Sequence, residues 1–117
     1  MSNDFFETFN PETVNSLNFD EKIIQETNDR ELKCIFFWGH DCPNCEIAKR
    51  AFIERKKEVS DLNIKLYHAN IYEDFELATR FGLFGIPVFM FFRNGKKLGK
   101  ISPYPGWEPF SEAVLKL

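Results

Sequence analysis

The sequence has few cysteines, no long apolar run and no excess of positive charge. Its three cysteines are too few for the disulfide framework of a small secreted domain. The longest apolar run, Val88–Phe92, has the length of a strand and not the roughly 20 apolar residues of a membrane helix. The net charge is −3, and the densest basic cluster, residues 55–57, is flanked by Glu54 and Glu58. We therefore expect no membrane span and no nucleic-acid partner.

The first residues, 1–4, also lack the basic segment and the following apolar stretch of a secretory signal peptide. Together with the low cysteine count, this leads us to expect a cytoplasmic protein. In that reducing compartment, a close cysteine pair is more often catalytic or metal-binding than structural. What the chain does contain is apolar material: 44% of its 117 residues are hydrophobic, and 14 are Phe. That is enough for one domain, which we expect to be monomeric.

Residues 1–12 are predicted to form an N-terminal extension, either a loose tail or a short element that packs its Phe side chains, and residues 13–117 one domain. The predicted elements are, in chain order, a short strand within 13–19 around Val14 and Leu17, a helix from 20 to 28, strand 32–38, helix 43–59, strand 64–71, helix 73–81, strands 88–93 and 96–101, and helix 107–117. Asn94-Gly95 between the last two strands is a hairpin turn signal. This order predicts an α/β fold, with a mixed central sheet of about four to five strands and about four helices on its faces.

The spacing of apolar residues also predicts which side of each helix faces the core. Asn18 or Asp20 is expected to cap the first helix. Its inward residues are expected to be Ile23, Ile24 and Thr27, with the helix ending at Asn28. For the helix from Pro43, the inward residues are expected to be Ile47, Ala48, Ala51, Phe52 and Val59, and the outward ones Lys49, Arg50, Glu54 and Lys57. For the last helix they are Phe110, Val114 and Leu117, with Ala113 beside them.

The segment that carries chemistry is Trp38 to Cys45, Trp-Gly-His-Asp-Cys-Pro-Asn-Cys, where a buried strand ends and a helix begins. Cys42 lies at the predicted helix N-terminus, where unpaired N–H groups and the helix dipole stabilise a thiolate and so lower its pKa. Cys45 lies one turn further on the same side, within reach of Cys42, and should be the more buried. We therefore expect Cys42 to attack a disulfide and Cys45 to resolve the mixed disulfide.

Other interpretations of these cysteines remain open at this point. Two cysteines at this spacing also form half of a zinc site, for which the remaining ligands would come from Cys34, His40 and His68. The pair could also be inert core residues, although Gly39, Asp41 and Asn44 indicate an exposed turn. Cys34, within an apolar strand, is most simply a small buried hydrophobe.

At this point the sequence resembles the thioredoxin family, from about Val14 onward. The strand ends in Trp38 four residues before Cys42, the Cys pair opens a helix, and Gly85-Ile86-Pro87 resembles the family's cis-proline loop. The hairpin and a terminal helix follow in the family's order. The resemblance implies a thioredoxin fold and a role in electron transport and redox homeostasis. It also implies that no cofactor or metal is needed, because the dithiol carries the two electrons.

The resemblance further implies roles for residues around the dithiol. Pro87 should be cis and lie against the Cys42–Cys45 pair, although a simple strand-entry proline is the alternative. The backbone of Ile86 would pair with an extended substrate chain, and Trp38 would pack beside the dithiol and shape the docking surface.

Three departures from the family pattern bear on the chemistry. The residues between the cysteines are Pro43 and Asn44 where thioredoxins usually have Gly-Pro, which could make the protein more oxidising. The family's buried acid is replaced by Phe36, and its lysine partner by His68. We therefore expect His68 or Glu46 to move the proton, because imidazole changes charge near neutral pH without a large pKa shift. A strand histidine without a chemical role is the alternative.

The third departure is His40. A cation there would lower the pKa of Cys42 further, whereas an exposed loop histidine would have little effect.

The expected function is thiol–disulfide exchange that reduces protein disulfides, with recycling by a flavoprotein reductase or by glutathione. Three alternatives stay open: a dithiol oxidase or isomerase of the same fold, a docking subunit without catalysis, and a protein that binds an iron–sulfur cluster between two protomers.

Overall fold

A mixed sheet of five strands forms the centre of the protein. The computed structural model describes residues 3–27 and 30–117. Its strands are β1 (Glu12–Thr13), β2 (Leu32–Trp38), β3 (Ile64–Asn70), β4 (Val88–Arg93) and β5 (Lys96–Ile101). Its helices are α1 (Asn3–Phe9), α2 (Pro43–Glu54), α3 (Lys56–Asp61), α4 (Phe75–Arg80) and α5 (Trp107–Leu115), with a π-helix over Asp20–Gln25. The strand order is β1-β3-β2-β4-β5, which confirms the predicted mixed sheet.

Strand β2 lies in the middle of this sheet. It pairs in parallel with β3 and antiparallel with β4, and every residue before Trp38 is buried. Because side chains alternate along a strand, Cys34 and Phe36 point to a core covered by α1, α2 and α5, whereas Ile35 and Phe37 point to a second core on the other face. The continuous apolar run seen in the sequence is therefore explained by burial on both faces.

The first strand is shorter than predicted. Only Glu12 and Thr13 form a strand, although the next residue, Val14, still donates its N–H to the carbonyl of His68 at 2.9 Å. The chain then turns because the side chains of Asn15 and Asn18 bond backbone N–H groups at 2.8–3.0 Å. The expected second apolar position of this strand, Leu17, is 94% exposed, so that part of the prediction was wrong.

The first predicted helix is also different. It is a six-residue π-helix without a side-chain cap, because Asn18 is used in the turn and Asp20 pairs with Arg80 at 2.7 Å. Ile23 is buried as expected and Ile24 partly so, but Thr27 is exposed. The predicted end at Asn28 lies outside the described residues.

The helix predicted over residues 43–59 is two helices that meet at Arg55. Its inner face was predicted wrongly at two positions: Ile47 is 51% exposed, and Lys49 is buried at 2% exposure. The buried residues of α2 follow the face set by Cys45 and are Cys45, Ala48, Lys49 and Phe52. Because a lysine stem can cover apolar surface, Lys49 occupies a position where the pattern favours an apolar residue.

The later elements agree with the sequence apart from their ends. The hairpin turn residues Asn94 and Gly95 both have positive φ, 54° and 78°, as the type I′ turn requires. Helix α4 begins after Asp74, whose carboxylate accepts the N–H of Leu77 at 3.2 Å. Helix α5 ends at Leu115, two residues before the predicted end.

Part of the predicted N-terminal extension forms α1, which lies against α2. Phe5 is 1% exposed and its ring contacts those of Phe36 and Phe52, with centroids 5.4 and 6.0 Å apart. Of the two alternatives for this segment, the structure has the short element that packs its Phe side chains. The domain boundary at residue 13 stays a prediction.

On the face of the sheet that lies opposite α1 and α2, the buried cation Lys33 forms hydrogen bonds to the carbonyls at the end of the π-helix. Its side chain is 4% exposed, and its ammonium donates to the carbonyls of Lys22 at 2.7 Å, Ile23 at 3.4 Å and Glu26. The last carbonyls of a helix have no partner within it, so this one side chain provides a donor to three backbone carbonyls at this end.

We therefore expect Lys33→Met to lower the free energy of unfolding by about 2 kcal/mol, because carbonyls bonded by a charged donor lose their partner. Urea unfolding followed by circular dichroism measures this change. The matched control is Lys97→Met on exposed β5, which should stay within about 0.5 kcal/mol of the parent. Equal effects of the two substitutions would contradict the capping role.

Candidate active site

The two cysteines of the motif lie at the junction of β2 and α2. They are joined by a disulfide, with their Cα atoms 5.2 Å apart. Cys42 is the N-cap of α2, its Sγ accepts the backbone N–H of Cys45 at 3.1 Å, and Pro43 occupies the first turn. Cys45 is fully buried whereas Cys42 is partly exposed, so only Cys42 is open to a partner from solution.

The loop before β4 closes over this disulfide. The Ile86–Pro87 peptide is cis, as predicted, and the carbonyl oxygen of Ile86 lies 3.8 Å from Cys42 Sγ. Gly39 permits this approach, because a Cβ there would lie 2.8 Å from Ile86 Cδ1 and would also collide with the ring of Tyr72. The absence of a side chain at Gly39 therefore lets the two loops meet beside Cys42.

A third loop, after β5, forms hydrogen bonds both to the cis-proline loop and to the loop that carries the two cysteines. Ser102 Oγ donates to the carbonyl of Pro87 at 2.8 Å, and the backbone N–H of Tyr104 donates to Asn44 Oδ1 at 2.9 Å. The Ser102–Pro103 peptide between them is also cis. Asn44, which sequence reasoning placed only between the cysteines, thus fixes the dithiol loop to a distant part of the chain.

The Trp38 indole, next to this loop, is held by polar and aromatic contacts. Its Nε1–H donates to His68 Nδ1 at 3.0 Å, and the ring of Phe6 lies 5.2 Å away. Because Nδ1 accepts this bond, the neutral imidazole carries its proton on Nε2, which donates to Thr13 Oγ1 at 3.0 Å. His68 therefore positions Trp38 from the sheet below.

The same environment changes how His68 titrates. Burial, and then the positive charge of Lys49, lower the pKa of His68 from 6.5 to about 4. This lowered pKa runs against the expectation that the imidazole changes charge near neutral pH. Both ring nitrogens of His68 are already engaged, by Trp38 and Thr13. Its proposed part in proton transfer stays a prediction that this geometry does not favour.

Glu46, the other candidate for proton transfer, forms an ion pair with Lys49. The Nζ and Oε2 atoms are 3.0 Å apart, and the two side chains are 2% (Lys49) and 44% (Glu46) exposed. The Lys49 ammonium also lies over the rings of Trp38, 4.3 Å from the centroid, and Phe6, 5.0 Å away. Only the carboxylate end of this pair therefore reaches solvent.

These residues border one groove of about 620 Å³, which we call the Trp38 groove. Phe6, Trp38, Cys42, Glu46 and Lys49 all line it. The groove opens directly beside the partly exposed Cys42. The Trp38 groove therefore lies beside Cys42 Sγ and is lined by both aromatic and charged side chains.

The remaining candidates have other surroundings. Cys34 is fully buried, and burial raises the pKa of its thiol, as expected for a small buried hydrophobe. His40 is exposed, and its Nε2 lies 3.2 Å from Asn70 Nδ2.

Among residues 3–27 and 30–117, no group of three or more His, Cys, Asp or Glu is arranged to hold a metal ion. In the same residues, no helix has the length and hydropathy to cross a membrane.

Sequence reasoning missed several residues that build the site. Lys49 could have been found, because it lies four residues after Cys45 and so on the same helix face. Phe6, Ser102 and Tyr104 carry no local signal, since their roles depend on contacts with chain segments many residues away.

The lowered pKa of His68 predicts a pH dependence of stability. Between pH 6.5 and 4 the unfolded chain binds a proton on His68 that the folded protein does not, so stability should fall as pH falls through this window and level off below it. His68→Asn, whose Oδ1 can replace Nδ1 as the acceptor for Trp38, should flatten this part of the profile. Urea unfolding at pH 7, 5.5 and 4.5 measures it. His40→Asn is the exposed control, and an equally flattened profile there would contradict the assignment.

Comparison with known proteins agrees with this geometry. A family model described as Thioredoxin matches residues 10–111. A chloroplastic M-type thioredoxin of Pisum sativum is 30% identical over 86 residues, which cover 74% of this chain and 48% of that protein. A thioredoxin of Griffithsia pacifica is 29% identical over 84 residues, covering 72% and 73%. The chain thus spans about half the length of the first relative and about three quarters of the second.

A solved structure shows the same fold. The thioredoxin of Malassezia sympodialis, Mala s 13, superposes with a TM-score of 0.70 at 19% identity, over 91% of this chain and 89% of that one. The α/β thioredoxin fold expected from the motif order is thereby confirmed. With the family model matching most of the chain and a close cysteine pair at the start of α2, this chain belongs to the thioredoxin family.

Proposed function

We propose that this protein is a thiol–disulfide oxidoreductase that reduces protein disulfides with Cys42 and Cys45. The observation that carries the proposal is the asymmetric disulfide at the N-terminus of α2, with one sulfur open to solution and the other buried. A short disulfide of this kind can be opened and closed by exchange without any bound cofactor.

In the first step, the Cys42 thiolate of the reduced protein attacks one sulfur of a substrate disulfide. A bond forms between that sulfur and Cys42, the substrate S–S bond breaks, and the leaving thiolate takes a proton from water. The thiolate is stabilised by the N-terminus of α2 and by the N–H of Cys45, which points at Sγ in the oxidised form.

In the second step, the Cys45 thiol loses its proton and attacks Cys42 Sγ. The Cys42–Cys45 disulfide forms, the bond between Cys42 and the substrate sulfur breaks, and that sulfur leaves as a thiolate that takes a proton from water. Two electrons have then passed from the dithiol to the substrate. We assign the proton of Cys45 to the carboxylate of Glu46, which follows it in sequence and is exposed enough to return the proton to water.

The surroundings of Cys42 suit a protein substrate. The carbonyl of Ile86 is close enough to Cys42 for an extended chain to pair with it, and Pro87 leaves that edge without a competing N–H. Apolar side chains of the adjoining loops are exposed: Tyr72, whose ring lies against Gly39, at 51%, and Phe84, two residues before Ile86, at 102%. Such exposed apolar surface is typical of a site that binds another macromolecule.

Recycling of the oxidised protein requires an external reductant, for which we propose a flavoprotein thioredoxin reductase or glutathione. We propose the cytoplasm as the compartment, since Cys34 is a buried free thiol and the Cys42–Cys45 pair is the chain's one disulfide pair. We propose that the protein acts as a monomer, because the reaction needs no second copy.

The two cysteines should fail differently when replaced. Cys42→Ser should abolish reduction of a protein disulfide such as that of insulin, because the attacking thiolate is lost. Cys45→Ser should stop after the first step and accumulate a mixed disulfide at Cys42, which mass spectrometry detects. Cys34→Ala is the matched control and should retain the activity, since the Cys34 thiol is buried away from solvent.

If the double variant Cys42→Ser, Cys45→Ser still performed the biological role, the protein would be a docking subunit and the proposal would be wrong. Full turnover by Cys42→Ser alone would contradict the assignment of the attacking sulfur.

The reduction potential decides the direction of the reaction. We expect a redox titration in dithiothreitol or glutathione buffers, followed by Trp fluorescence, to give a value near the roughly −270 mV of thioredoxin. Pro43 and Asn44 favour the alternative of a dithiol oxidase. A value near roughly −120 mV, that of a strong oxidant, would show that alternative to be correct.

A further inference from the structure

The buried cation beside the dithiol is the feature that the proposed mechanism does not yet use. Lys49 is only 2% exposed, although an ammonium group is strongly favoured in water. It lies on the same face of α2 as Cys45, four residues later, and borders the Trp38 groove together with Cys42. A charge in this position costs free energy to bury, so what it interacts with is informative.

The partners of Lys49 do not cancel its charge within the protein. Its acidic partner, Glu46, lies 3.0 Å away but is 44% exposed, so water screens the negative end of the pair. The positive end lies under Phe6 and over Trp38, out of water. The buried end of the pair, which lines the same groove as Cys42, is thus positive and acts through a medium of lower dielectric than water.

The positive charge of Lys49 also affects the pKa of a neighbouring residue, His68. The charge of Lys49 contributes, after burial, to the lowered pKa of His68. A cation that disfavours a second positive charge on His68 must favour a negative charge placed at a comparable distance.

We propose that Lys49 is a positioning residue for the exchange reaction, whose buried ammonium stabilises the Cys42 thiolate electrostatically. This inference rests on the proposed function and adds the group that prepares the attacking sulfur. In the family pattern a buried acid stands beneath the dithiol; here that position is Phe36, and the buried charge is instead a cation supplied by α2.

Other charged or titratable groups on the surrounding elements contribute to the same potential. They are Glu46 on α2, His40 and Asp41 before it, His68 on β3, and Asp4 and Glu7 on α1. Glu46, His40 and Asp41 also line the groove, but these three, like Asp4 and Glu7, are partly or fully exposed, so water screens their charges. His68 is partly buried, and its lowered pKa leaves it uncharged near pH 7. Lys49, by contrast, is only 2% exposed. Lys49 is therefore the most deeply buried of the charged groups that line the groove, so its field is the least screened by water.

The test compares the titration of the Cys42 thiol in the reduced parent and in Lys49→Met. Methionine retains the unbranched stem over Trp38 and removes the charge. The pH dependence of alkylation by iodoacetamide reports the thiolate. We expect the midpoint to move to higher pH and alkylation below it to slow about threefold to tenfold.

Two matched variants separate charge from packing. Lys49→Arg keeps the cation and should restore a midpoint near the parent's. Arg50→Met removes the neighbouring cation from the exposed side of α2 and should leave the midpoint unchanged. As an independent readout, the pKa of His68 followed by NMR should rise from about 4 in Lys49→Met and not in Arg50→Met.

An unchanged midpoint in Lys49→Met would overturn the proposal. So would equal shifts in Lys49→Met and Lys49→Arg, which would indicate packing, or an equal shift in Arg50→Met, which would indicate the overall charge. The alkylation assay needs no disulfide substrate. A protein that fails to reduce insulin but shows the Lys49 effect would therefore refute the proposed function alone.

Discussion

The hydrogen bonding of β2 along both of its edges is the constraint from which the site is built. Because β3 and β4 fix this strand from either side, Trp38 and the start of α2 emerge at one defined place. Strand β3 brings His68 under Trp38, and the loop entering β4 brings Ile86 to Cys42. The dithiol is thus rigidly placed by strands that hold none of the reacting atoms, as exchange at a single exposed sulfur requires.

The charges beneath the dithiol are arranged differently from the family pattern noted in the sequence. With Phe36 in place of a buried acid, the core under the dithiol is aromatic, and Phe36 stacks on Phe89 with ring centroids 4.9 Å apart. The ionic groups of this region are instead Glu46 and Lys49 on α2, of which Lys49 is buried and Glu46 is partly exposed. In the proposed mechanism, a carboxylate at the edge of the groove exchanges protons with water directly, whereas an acid in the core would need a relay.

The sequence was sufficient for the parts of the molecule that depend on local pattern. The buried strand ending at Trp38, the cysteine pair at a helix start, and the Asn94-Gly95 hairpin each depend on neighbouring residues, and each was predicted correctly. The inner face of α2 was predicted wrongly at two positions, because counting apolar residues placed Ile47 inside and Lys49 outside. Burial of a lysine is stabilised by tertiary partners, here aromatic rings and a carboxylate, which periodicity does not detect.

The N-terminal helix α1 shows how far the site extends beyond its motif. Phe6 contributes no reacting group, yet its ring lies 4.8 Å from that of His68 and 5.0 Å from the Lys49 ammonium. By excluding water from that side it lowers the local dielectric, so the field of Lys49 is screened less than it would be at an open surface. An apolar side chain thus determines the strength of an electrostatic interaction. The segment before the matched domain, which sequence reasoning treated as an extension, is therefore part of the environment of the dithiol.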